Sequence, residues 1–167
     1  MTGADEASAG RSASCPRPGE PLGLDSAEKT LAFGRALAQG LRAGDVVALF
    51  GTLGAGKTTL ARGILEGLGH DGEVASPTFP IVLAYEPPDT RLPAWHVDLY
   101  RVEDPEELVE LGLDEVKREG VLLIEWPERL PALWPETLRL TLTASPGGGR
   151  ALTAEVPPAW GARWPPR

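Results

Sequence analysis

The stretch that most constrains this chain is the octet Gly51-Thr52-Leu53-Gly54-Ala55-Gly56-Lys57-Thr58, preceded by the apolar run Val46-Val47-Ala48-Leu49-Phe50. It fits GxxxxGK[ST], the phosphate-binding loop of nucleoside-triphosphatases. The context fits too, because a strand-like run enters the octet and a helix-like stretch, Thr58 to Leu68, leaves it. Glycines let the backbone turn tightly and aim successive N–H groups at an anion. The helix that follows adds its positive dipole end at the same place. Lys57 is then expected to reach the β- and γ-phosphates, and the Thr58 hydroxyl to ligate Mg²⁺. With nothing bound, Lys57 is expected to be solvated. A chance match arises on the order of once in a hundred chains of this size or less. Lysine is also scarce, with three (Lys29, Lys57, Lys117) against 13 arginines, yet it fills the one slot that demands it.

At 167 residues the length suits one domain able to bury a core. The formal net charge of −8 argues against a chain that grips nucleic acid by itself, since phosphate contacts supply most of that affinity. The single cysteine, Cys15, excludes an internal disulfide and suits a reducing compartment. There is no signal-peptide core and no apolar run of membrane-spanning length. The expectation is a cytoplasmic protein without membrane contact.

Residues 1–21 are Gly, Ala, Ser, Pro and charge without periodicity, read as a disordered tail. Asp25 and Glu28 have capping-box spacing before a helix carrying Leu31, Phe33, Leu37 and Leu41. Asp45 to Phe50 reads as a buried parallel strand. After the loop and its helix, Ser76-Pro77-Thr78 is a polar turn and Phe79 to Tyr85 a strand. Trp95 to Tyr100 alternates, with Trp95, Val97 and Leu99 on one face and His96, Asp98 and Tyr100 on the other. This is the pattern of a half-buried strand. Asp104-Pro105-Glu106-Glu107 starts a short helix that Gly112 stops. Val121 to Ile124 is a second apolar strand, and Thr137 to Thr143 with Ala151 to Val156 form a terminal hairpin. The chain divides into the tail 1–21, a nucleotide-binding domain over 22–158, and a Pro- and Trp-rich C-terminal tail, 159–167. The fold class is α/β: a P-loop three-layer sandwich around a mixed sheet.

A phosphate loop needs an acidic partner for Mg²⁺ at a strand end. Asp98 and Glu125 both stand there, and the spacing does not divide metal binding and water orientation between them. Thr78 is placed to contact a γ-phosphate or the metal from a loop. His96, two residues from Asp98 on the same strand face, reads as a hydrogen-bonded structural residue ahead of the other reading, a metal pair with Asp98. No Cys/His cluster for zinc and no GxSxG elbow is present.

Together these pieces resemble the TsaE (YjeE) family. The resemblance rests on Gly51 through Thr59, Ser76-Pro77-Thr78-Phe79, His96-Val97-Asp98-Leu99-Tyr100-Arg101, Asp104-Pro105-Glu106-Glu107-Leu108, Leu111-Gly112-Leu113 and Glu125-Trp126-Pro127, spread over roughly residues 22–156. It implies a weak Mg²⁺-dependent ATPase required for the threonylcarbamoyladenosine modification of tRNA, acting with the TsaB and TsaD proteins. It also implies that Gly51, Leu53, Gly54, Ala55, Gly56, Lys57, Thr58, Thr59 and Thr78 meet ATP. Lys57, Asp98 and Glu125 would be catalytic, and Thr58, Asp98 and Glu125 would surround Mg²⁺. The family usually carries Asp where this chain has Thr52, so that negative charge is missing here. Two other readings use the same loop. A small-molecule kinase would want an arginine-bearing lid, for which the segment after Glu125 offers only Arg129. A GTP switch would want a guanine-reading N/TKxD motif, which is absent.

Overall fold

The computed structural model describes residues 17–77 and 81–167; Thr78, Phe79 and Pro80 lie outside the described residues. Seven strands form one sheet in the order β1-β7-β6-β2-β5-β4-β3. They are β1 (Leu22–Leu24), β2 (Val46–Phe50), β3 (Val82–Tyr85), β4 (Ala94–Asp98), β5 (Val121–Glu125), β6 (Leu138–Ala144) and β7 (Arg150–Glu155). The four central strands run parallel, and β1, β7 and β3 are antiparallel to their neighbours. The sheet is therefore mixed, as expected. Runs such as Val46–Phe50 and Val121–Ile124 are apolar throughout because both faces of the central strands are covered.

The two faces are covered differently. Helices α1 (Ala27–Ala38) and α2 (Lys57–Gly67) lie on one face over Val47, Leu49, Val121 and Leu123. Helices α3 (Pro105–Glu110) and α4 (Leu113–Glu119) lie on the other, with Val46, Leu122, Ile124 and Val97. Successive residues of a strand point to opposite faces. The odd positions of β5 therefore face α2, and its last residue, Glu125, joins them.

Local chemistry explains most element ends, with four departures from the sequence reading. Ser26, not Asp25, caps α1: its hydroxyl accepts from Lys29 N at 3.2 Å, while Asp25 pairs with the Lys29 ammonium at 2.6 Å. Asp104 caps α3 as expected, accepting from Glu106 N at 2.9 Å with Pro105 in the first turn. Gly112 does not simply end that helix. At φ 59°, ψ 36° it turns the chain directly into a further helix, α4. The strand β4 is not half-buried, because Ala94, His96 and Val97 are all fully covered. Finally, the segment read as a C-terminal tail is built into the molecule: Trp160 and Trp164 are buried in the α1–α2 cluster. Of the segment read as an N-terminal tail, residues 1–16 lie outside the described residues, and Gly19 N donates to Ala154 O on β7 at 3.1 Å.

Candidate functional site

The octet forms the turn between β2 and α2. Gly51, Gly54 and Gly56 take φ values of 147°, 76° and 102°, a region that residues with a Cβ rarely occupy. A Cβ on Gly51 would also meet Leu142 O at 2.7 Å, whereas Gly54 and Gly56 border open space. The loop thus presents bare backbone to a cleft of about 410 Å³. Leu53, Gly54, Ala55, Gly56, Lys57, Thr58 and Thr59 line this cleft together with Asp98 and Glu125. Gly51 is not among the lining residues, and its carbonyl accepts from Lys57. Thr78 is outside the described residues, and Ser76 of the same turn borders the cleft.

The carboxylates arrive there by strand parity and register. Parallel pairing of β4 with β5 sets Asp98 beside Glu125 and His96 beside Leu123. All four side chains belong to the face that carries α2. Glu125 is 2% exposed, and each of its oxygens has a partner. Thr58 Oγ1 donates to Oε1 at 2.8 Å, and His96 Nε2 lies 2.7 Å from Oε2. A carboxylate only accepts, so Nε2 carries the proton of this imidazole. Asp98 stands nearer the cleft mouth, half-buried, with Oδ1 accepting from Tyr100 N at 2.9 Å. Desolvation pushes the Asp98 carboxyl above its ordinary range; the Tyr100 amide works against this and the charge of Glu125 with it.

Lys57 differs from the expectation of a solvated ammonium. It is buried, donating to Gly51 O at 2.5 Å and Thr52 O at 2.9 Å, with the Trp126 ring centroid 4.1 Å from Nζ. Burial lowers its pKa, and Glu125, Glu128 and Asp98 oppose that shift. Trp126 owes its position to backbone strain. At φ 57°, ψ 49° it is the one non-glycine with positive φ among the described residues. Its ring also packs against Tyr100 in a tilted pair, 4.9 Å between centroids.

Two further contributors were not legible beforehand. Arg150, at the start of β7, donates to Ala55 O and Gly54 O, each at 3.0 Å, and so braces the loop from the neighbouring hairpin. Nothing in the spacing of residues 95 apart signals that contact. Trp126 was visible as part of Glu125-Trp126-Pro127, but its place over Lys57 depends on a left-handed backbone that a sequence does not display. A site of this make-up offers a concave backbone, one ammonium, and a hydroxyl tied to a buried carboxylate.

The family model for "Threonylcarbamoyl adenosine biosynthesis protein TsaE" matches residues 24–152. The chain belongs to the TsaE family. It is 40% identical over 141 residues to the tRNA threonylcarbamoyladenosine biosynthesis protein TsaE of Nostoc sp., covering 81% of this chain and 83% of that protein. The protein of the same name from Streptomyces coelicolor is 45% identical over 117 residues, covering 69% and 79%. The Bacillus subtilis TsaE protein is 41% identical over 128 residues, covering 75% and 78%. Among solved structures, Bacillus subtilis YdiB superposes with a TM-score of 0.67 at 31% identity, over 89% of this chain and 94% of that one. The TsaE match spans the loop, β4, β5 and β6, so every side chain of the cleft falls within it. No helix among the described residues is long and apolar enough to cross a membrane.

Proposed function

We propose that this chain binds ATP with Mg²⁺ at the Gly51–Thr58 loop and hydrolyses it slowly, serving threonylcarbamoyladenosine formation on tRNA together with TsaB and TsaD. The observation that carries the reading is the junction of Lys57, the Thr58 hydroxyl and the Glu125 carboxylate at the start of α2, with Asp98 in register beside Glu125. The donor set suits a magnesium–nucleotide, since hydroxyl and carboxylate oxygens are the hard ligands Mg²⁺ takes. The open backbone at Gly54 and Gly56 suits a polyphosphate, because no Cβ fills the cradle.

Thr58, Glu125 and Asp98 would hold the metal, which when bound neutralises charge developing on the phosphate oxygens. Both Glu125 oxygens already accept hydrogen bonds, from Thr58 and His96, so of the two carboxylates beside the metal Asp98 would be the one that also orients a water. Lys57, now spending its protons on Gly51 and Thr52 carbonyls, would exchange them for phosphate oxygens. Arg150 keeps the loop in place from outside the cleft. The kinase alternative gains nothing from Arg129, which donates to Tyr100 O and is not among the cleft-lining side chains; the arginine that does line the cleft, Arg101, follows β4 and not Glu125.

With a formal charge of −8, the isolated chain should leave tRNA unshifted in gels at physiological salt. The deciding experiment is ATP turnover by the chain alone and then with TsaB–TsaD present. The reading expects slow Mg²⁺-dependent turnover that rises with the partners. Absence of ATP binding by the folded protein would refute it, and tight, salt-sensitive tRNA binding would refute the indirect role.

A further inference from the structure

The buried histidine behind the cleft carries an inference beyond the nucleotide-binding reading, on which it nonetheless rests. His96 has no exposed surface, and Glu125 beside it is 2% exposed. Burying a carboxylate is costly unless its lone pairs are matched. Here the matching is divided: Oε1 takes the Thr58 hydroxyl and Oε2 takes His96 Nε2–H. Without the histidine, Oε2 has no other hydrogen bond among the described residues, and the carboxylate gains freedom to rotate. Thr58 would then lose the fixed acceptor that orients its hydroxyl. The imidazole itself gives little else in return. Its Nδ1 is buried with no hydrogen-bond partner among the described residues. A residue present only for packing would do better as an apolar side chain of the same size, because an orphaned buried polar atom is destabilising. The polarity of His96 is therefore directed at one atom, Glu125 Oε2.

We propose that His96 is a positioning residue of the magnesium site: its Nε2–H fixes Glu125 Oε2, which keeps Oε1 on the Thr58 hydroxyl and that hydroxyl turned for the metal. It touches neither nucleotide nor metal. Hydrogen-bond partners of metal-site carboxylates typically change metal affinity 10–100-fold when removed.

The test replaces His96 by three residues and measures Mn²⁺ affinity by electron paramagnetic resonance with a non-hydrolysable ATP analogue bound. Nucleotide affinity in EDTA and the melting temperature are measured alongside. In His96→Gln the amide nitrogen can take the place of Nε2, whereas in His96→Asn it falls short, and His96→Leu removes the donor altogether. The expected result is Mn²⁺ affinity close to wild type for Gln and about tenfold or more weaker for Asn and Leu. Metal-free nucleotide affinity should be unchanged in all three. Should the Leu variant not fold, the Gln–Asn pair decides, with the melting temperatures reporting how far the shorter Asn side chain alters the packing. Equal Mn²⁺ affinity for Gln and Asn overturns the proposal, as does wild-type affinity in a folded Leu variant. A wild-type protein that binds the analogue but no Mn²⁺ would overturn the metal-site reading itself, and with it this role for His96.

Discussion

Lys57 sits where its own charge is disfavoured, held by two carbonyls and an indole face rather than by water. A cation kept in this way is poised to exchange weak neutral partners for phosphate oxygens, and its value appears only when negative charge arrives. Lys57→Ala should therefore reduce ATP turnover about a hundredfold or more, the usual effect of removing a group that stabilises developing charge. Its stability should change by no more than about 1 kcal/mol, because water in the cleft can take over the Gly51 and Thr52 carbonyls. Turnover and thermal unfolding on the same preparation check both halves, and wild-type turnover in the folded variant would refute the role. Trp126 gives an optical handle on the same event. Its ring shares Lys57 with the loop carbonyls, so nucleotide binding should alter its fluorescence. Trp126→Phe should abolish the change although Trp95, Trp134, Trp160 and Trp164 remain. A signal that survives this substitution would place the response elsewhere.

Helices α1 and α2 approach one another closely, and glycine makes it possible. A Cβ at Gly63 would lie 2.5 Å from Leu31 O and 2.9 Å from Leu31 Cα, and one at Gly34 would lie 2.8 Å from Ile64 N. Alanine is the better helix former by about 1 kcal/mol. Gly63→Ala should nevertheless destabilise the protein by about 1–3 kcal/mol, because overpacking against backbone cannot relax by a rotamer change; urea unfolding measures the sign. On the other face, α4 is tied to the chain before β6 by Lys117 and Glu136. The hydrogen bond from Lys117 holds the Glu136 carboxyl below its ordinary range. A depressed carboxyl stabilises the fold above its unfolded pKa, and the contribution vanishes as pH falls through the folded value. The pair is partly solvated, so Glu136→Gln should cost about 1 kcal/mol or less at pH 7 and less than that at acid pH, as the carboxyl takes up its proton in the folded state too. Denaturation curves of both proteins at the two pH values test this. What could be read beforehand follows the same division. The loop, the Asp104–Pro105 helix start and the apolar runs Val46–Phe50 and Val121–Ile124 are local patterns, and all are present. Strand parity then sets Glu125 toward α2. The α4 helix was missed because Gly112 reads as a stop, and the capping of α1 slipped by one residue because Asp25 and Ser26 are both good caps. The His96–Glu125 and Arg150–loop contacts join residues 29 and 95 positions apart, which no local pattern encodes.

Taken whole, the molecule closes its α1–α2 layer with the last residues of the chain. Proline and tryptophan without periodicity read as a tail because helix and strand signals are periodic, whereas this segment is fixed by three side chains instead. Trp160 is 1% exposed and Trp164 meets Phe33 of α1 edge-on, 6.2 Å between centroids. Between them Arg163 reaches Asp45, just before β2, at 2.5 and 3.2 Å and donates to Gly40 O at 2.9 Å. The same guanidinium lies 4.4 Å from the Trp160 ring centroid. Ending the chain at Pro158 would therefore uncover the α1–α2 cluster and strand the buried Asp45 carboxylate with Arg42 N as its remaining partner. Trp160→Ala alone should cost about 3–5 kcal/mol, the range for emptying a buried aromatic site. The truncation should cost at least as much, a large share of the roughly 5–15 kcal/mol that holds a domain of this kind. Trp160→Phe should cost far less than Ala, since the indole N–H has no partner among the described residues and its loss removes an unmatched polar atom. Urea titrations of the three variants, followed by far-UV circular dichroism, give the ranking. If the chain ending at Pro158 unfolds at the same urea concentration as the full chain, the last nine residues are an appendage and the core is complete without them.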